Sequence, residues 1–181
     1  MNKLRILSIL FSITILALLV TGCFGGNKAT GGGWFIGTQT EATIDTEGNF
    51  VTFGFNMQPN LDDEPVFDAN LFPEGALVID AKGQFQLIDH TLGTRIHGTI
   101  STAIAEDLTI TNNSVCMGTC SIEGNNPYNG SYMFVVQFTD GAGYDFVSLI
   151  VDLDDDGIPE KDVDLFYQGM LGDGAIRIHV N

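Results

Sequence analysis

Residues 51–57 read Val51-Thr52-Phe53-Gly54-Phe55-Asn56-Met57, and their alternation decides the fold. Successive side chains of an extended strand point to opposite sides, so Val51, Phe53, Phe55 and Met57 share one face. Thr52, Gly54 and Asn56 share the other. The same period of two returns at Phe134, Val136 and Phe138, and at Ile176, Ile178 and Val180 against Arg177 and His179. Further strands are read at 34–37, 76–80, 84–89, 95–103, 107–111, 144–151 and 163–169. Glu47-Gly48-Asn49, Ala81-Lys82-Gly83, the stretch 124–130 and Asp140-Gly141 supply turns between them. A helical period persists nowhere beyond two turns, and the one short helix is read around Thr102–Asp107. Gln58 to Glu74 holds three prolines and five acids and reads as one long loop. The pattern predicts an all-β fold: a single antiparallel β-sandwich or barrel-like domain of about ten strands.

Composition agrees. The 181 residues are 44% hydrophobic and only 17% charged, with 22 glycines and 13 phenylalanines. That is too apolar for a disordered tail and too rich in glycine for a helical bundle. Seven basic residues face 23 acidic ones, which excludes a nucleic-acid partner, because phosphate backbones reward Lys and Arg.

The first residues carry an address. Lys3 and Arg5 precede an apolar run from Ile6 to Val20. At ~1.5 Å per residue a helix over that run reaches roughly 22 Å, short of the ~30 Å hydrocarbon core, so a signal-peptide core is the better reading than a spanning helix. Val20-Thr21-Gly22-Cys23 then resembles the bacterial lipobox. The resemblance implies cleavage before Cys23, a diacylglycerol on its thiol, and attachment to the membrane through that lipid. Residues 1–22 are then the signal peptide, 23–30 the lipidated cysteine and a short tether, and 31–181 the β domain. Phe24 stands where an aspartate would favour retention at the inner membrane, so an outer membrane is favoured where the cell has one. The mature chain keeps five basic residues against 23 acids, a formal charge of −18. It buries about 68–70% of its unfolded surface, enough for one core.

Removing Cys23 leaves Cys116 and Cys120, an even number in an oxidising compartment. Gly118 at the centre of Cys116-Met117-Gly118-Thr119-Cys120 lets the chain reverse, and the pair is read as a disulfide worth about 2 kcal/mol. The alternative is two unpaired thiols. A second cysteine pair for zinc is missing, and the spacing is not that of an oxidoreductase CxxC.

The most informative local signal is Asp152-Leu153-Asp154-Asp155-Asp156-Gly157-Ile158, continuing to Asp162-Val163-Asp164. Carboxylates at the first, third and fifth positions with glycine at the sixth are how an EF-hand-like loop wraps Ca²⁺. Asp152, Asp154 and Asp156 would supply side chains, Ile158 its carbonyl, and Asp162 or Asp164 would replace the bidentate glutamate missing at Val163. The other reading is a solvated acidic turn, in which the carboxylates repel one another with nothing to relieve them.

Other chemistry is thinly signalled. His90, His97 and His179 read as exposed polar residues on strand faces rather than zinc ligands. GxSxG, HExxH and phosphate-loop patterns are absent from the sequence. Trp34 reads as a core anchor rather than a sugar platform.

Thr30-Gly31-Gly32-Gly33-Trp34-Phe35, Phe53-Gly54-Phe55-Asn56, Gly75-Ala76-Leu77-Val78-Ile79-Asp80 and the closing run Gly172 to His179 belong together. Over residues 29–181 they resemble the post-COAP domain of bacterial secreted and surface proteins. The resemblance implies a β fold and an extracytoplasmic location, and carries over no catalytic residue. Asp173 and Ala175 depart from its closing motif, and the 58–74 stretch and the acidic turn look like additions. The expectation is a non-catalytic lipoprotein of the cell envelope that binds a surface glycan or an envelope protein. The alternatives are a structural or assembly component of an envelope complex and, third, a hydrolase.

Overall fold

Each of the alternating apolar faces turns inward, and the sheet that carries them closes on itself. In the computed structural model the described residues are 28–38, 46–60, 64–68, 76–104, 113–124, 127–154 and 164–179. They form β1 (Lys28–Ile36), β2 (Phe50–Pro59), β3 (Val66–Asp68), β4 (Ala76–Asp89), β5 (Thr94–Ile104), β6 (Asn113–Gly124), β7 (Gly130–Thr139), β8 (Phe146–Asp152) and β9 (Leu165–His179). Every pairing is antiparallel. The order β2-β1-β9-β8-β7-β6-β5-β4, closed by a β2–β4 pairing, makes an eight-stranded up-and-down barrel. β3 is a ninth, short strand added to the start of β4. Of the two architectures open in the sequence, the barrel is the one adopted. Closure leaves the eight strands without a free sheet edge over most of their length.

An eight-stranded barrel has an interior just wide enough for side chains to fill. Here phenylalanines fill it. Phe35, Phe53, Phe55, Phe85, Phe134 and Phe138 are all buried and linked ring to ring. Phe55 and Phe138 lie face to face with centroids 3.4 Å apart. Glycines on other strands make room for them. A Cβ at Gly98 would sit 2.8 Å from the Phe134 ring, and one at Gly31 would sit 2.7 Å from the Phe55 ring. The pairing of large with small is how a small barrel reaches interior density without voids. The FGFN and GGGW wording therefore encodes packing.

The sequence expected more breaks than the chain has. Ala81-Lys82-Gly83, read as a turn, is a bulge inside the continuous strand β4, where the β4–β5 register shifts between Asp80 and Gly83. A Cβ on Gly83 would collide with the Asn56 carbonyl, so the glycine is there for close backbone approach. The two strands read at 163–169 and 176–180 are one 15-residue strand, β9. Gln58 and Pro59 belong to β2 and Val66–Asp68 to β3, so Gln58 to Glu74 is not a single loop. Thr102 to Ile104 are strand, ending β5, which removes the start of the expected helix. The expected strand 107–111 lies outside the described residues.

The cysteines are also corrected. Cys116 and Cys120 do not flank a reversal: they lie in β6, whose register with β7 runs unbroken from Asn113 to Ile122. Four residues of extended chain separate Cα atoms by about 13 Å, twice the reach of a disulfide. Both thiols are free and face the interior. Trp34 is corrected as well. It sits on the outward set of β1, partly buried, over Gly172 and 5.6 Å from Phe50, and not in the core.

Candidate metal site

The meander gives the barrel two ends. One collects the starts of β2, β5, β7 and β9 and the finishes of β1, β4, β6 and β8. It lies opposite Lys28 and is closed by polar side chains. Asp89, fully buried, is its centre. Its Oδ1 accepts the backbone N–H groups of Thr91 (2.8 Å) and Leu92 (2.9 Å), which fixes the turn into β5. Its Oδ2 accepts Asn49 Nδ2 (2.8 Å) and the Tyr167 hydroxyl (3.1 Å). Four donors replace the water that burial removes, so the charge is tolerated. Burial, with the Asp89 charge beside it, drives the Tyr167 phenol well above its ordinary range. In the sequence Asp89 reads only as the last residue of the strand at 84–89. The signal it carried was its place at a strand end before His90-Thr91-Leu92-Gly93, the setting in which an aspartate caps its own turn.

The acidic loop leaves from this same end. Asp152 is the last residue of β8, Asp154 follows two residues on, and Asp164 immediately precedes β9. One carboxylate oxygen from each lies within 4.8 Å of the others. Asp152 and Asp164 are fully buried, and Asp154 is exposed. Asp164 Oδ1 accepts the Leu153 N–H at 2.7 Å, so the chain folds back on the loop's own entry. Like charges at such spacing repel by about 4 kcal/mol per pair at an effective dielectric of 20. A divalent cation between them turns that repulsion into attraction. The donor set is hard oxygen, which suits Ca²⁺ or Mg²⁺ rather than a thiophilic metal.

Two of the five ligands read from the sequence, Asp152 and Asp154, therefore converge. Asp164, one of the two residues named there as substitutes for the missing glutamate, joins them. Asp156, Ile158 and Asp162 lie outside the described residues, as does Cys23. His90 opens the turn after β4, exposed, with Nε2 2.9 Å from Thr52 Oγ1, and His97 is exposed on β5. His179 closes β9. Among the described residues the acid triad is the one cluster of at least three metal-ligating side chains.

At the other end, carboxylates do structural work. β9 outruns β8, whose pairing stops at Phe146 opposite Met170. Asp145 Oδ2 accepts the Ile176 N–H at 2.7 Å and Asp140 Oδ2 the Ile178 N–H at 3.3 Å, standing in for the strand that is not there. Arg177 lies 3.5 Å from Asp140 and 3.9 Å from Asp145.

No protein-family model, curated protein or solved structure matches this chain.

Proposed function

We propose that this protein is a non-catalytic, lipid-anchored binding module of the bacterial cell envelope, with a structural Ca²⁺ ion at the closed end of its barrel. The packed interior carries the reading. Where a carrier barrel holds cargo, this one holds stacked phenylalanines, so a ligand is met on the outside. The lipobox at Val20–Cys23 supports the anchor, and the post-COAP-like motifs support an extracytoplasmic setting. The triad of Asp152, Asp154 and Asp164 supports the cation. Asp156 and the Ile158 carbonyl, from the same loop, would complete a shell of the six to eight oxygens that calcium takes.

A panel of cell-envelope polysaccharides and envelope protein extracts tests the binding role. Retention of a defined glycan or protein at micromolar concentration is the expected result. A protein that retains nothing at high micromolar concentration would contradict it. Mass spectrometry of the protein from native membranes tests the anchor: Cys23 carries acyl chains, or the lipoprotein reading is wrong.

A further inference from the structure

The outer face of the barrel is not uniform in charge. The described chain is strongly acidic, yet one strip across β1, β2, β4 and β5 is lined without a carboxylate among the described residues. Two adjoining hollows there, of about 400 and 630 Å³, share Asn56, Gln84 and Thr99. Lys28 and Lys82 line the second, and His97 lines the first. Two of the five basic residues of the mature chain therefore meet in one groove, while 23 acids lie elsewhere or outside the described residues.

The register explains how the strip is built. Thr30 stands opposite Asn56, Asn56 opposite Gln84, and Gln84 opposite Thr99, so four polar side chains form one rung across four strands. The next rung towards the closed end runs Gly32, Gly54, Gln86 and His97. The two glycines drop the floor of that rung to backbone level. On the other side the β4 bulge projects Lys82 outward beside the rung. Outward polar residues alone are what water requires of any barrel. The sign of the charge and the glycine-cleared floor are what set this strip apart.

We infer that this groove binds an anionic glycan, a chain of sugars bearing carboxylate or other acidic groups. The inference rests on the binding-module reading above and names the ligand class and the site. Asn, Gln and Thr offer paired donors and acceptors to sugar hydroxyls. Lys28 and Lys82 supply positive charge for the acidic substituents, and His97 a further donor. Strands lie ~4.8 Å apart, so a glycan laid across the four strands meets a new polar side chain at each step. A chain of formal charge −18 repels polyanions over most of its surface, which favours this strip for an acidic chain.

Affinity electrophoresis of the full-length protein in nonionic detergent tests this, with polygalacturonate, neutral dextran and polyglutamate cast in separate gels. Retardation by polygalacturonate alone is the expected result, weakening as salt is raised. Lys28→Gln/Lys82→Gln should weaken that binding about tenfold, and Gln84→Ala/Thr99→Ala should do the same while keeping the charge. Both double variants change exposed or part-exposed outer residues, and an unchanged melting midpoint confirms that they fold. Equal retardation by polyglutamate would overturn the glycan assignment, leaving a charge trap. Retardation by dextran alone would overturn the anionic class while keeping the binding module. No retardation by any polymer would overturn the inference, and the envelope-extract panel then decides the broader reading separately.

Discussion

Phe138 meets three other rings of the aromatic interior, stacked on Phe55 and within 6.5 Å, centroid to centroid, of Phe53 and Phe85. Phe138→Ala should cost about 3–5 kcal/mol, read from denaturant melts, because a barrel closed by hydrogen bonds collapses poorly around a void. Gly98→Ala should cost about 1–3 kcal/mol for the opposite reason, since its Cβ has nowhere to go but the Phe134 ring. The thiols make a second residue-scale prediction. Burial pushes the Cys120 thiol up to about 12, against a smaller lowering by a Tyr132 backbone hydrogen bond, and pushes Cys116 higher still. In the unfolded chain both titrate near 8.5. The folded state therefore keeps protons that the unfolded state loses, and the stability due to each thiol is whole below about pH 8.5. It falls by about 1.4 kcal/mol per pH unit per thiol as the pH climbs towards 12. Cys116→Ala/Cys120→Ala should flatten that alkaline slope. Native protein should resist iodoacetamide at both positions, and denatured protein should take up both labels without prior reduction.

At the scale of elements, Asp145 is the clearest single dependency. Asp145→Ala leaves the Ile176 N–H without its acceptor where β9 has outrun β8, and should cost about 1–3 kcal/mol. Hydrogen exchange checks it residue by residue: the Ile176 and Ile178 amides should lose protection first, with β6 and β7 unchanged. The elements also show what the sequence could reveal. Period-two alternation over 51–57 and 134–138 placed the inward faces, because burial on one side of a strand leaves a mark at every second residue. Glycine was the misleading letter. Gly83 and Gly118 read as turn residues, yet both lie inside strands, where a Cβ would collide with the carbonyls of Asn56 and Thr99. A glycine that permits a turn and one that permits close approach are the same letter. Only the pairing partner, distant in sequence, tells them apart. Barrel closure between β2 and β4 and between β1 and β9 was illegible for the same reason, as was the rung from Thr30 to Thr99. The acidic cluster was legible because Asp152, Asp154 and Asp164 lie close together in the sequence.

Over the whole molecule, charge is the organising quantity. A formal charge of −16 works against compaction, and the acid-rich sequence between β8 and β9 adds to it where two carboxylates are already buried. Calcium at that loop would tie the last two strands of the meander together at the end where Asp89 and Tyr167 close the barrel. The most direct test melts the full-length protein in detergent with calcium and with excess chelator, beside Asp154→Asn/Asp164→Asn. At a calcium concentration ~100 times the dissociation constant, binding adds about 2.7 kcal/mol, a rise in midpoint of roughly 5–10 °C for a chain of this size. That rise, abolished by chelator and missing from the double variant, is the predicted result. Superimposable melts of the parent protein in calcium and chelator would contradict it and leave the loop a bare acidic turn.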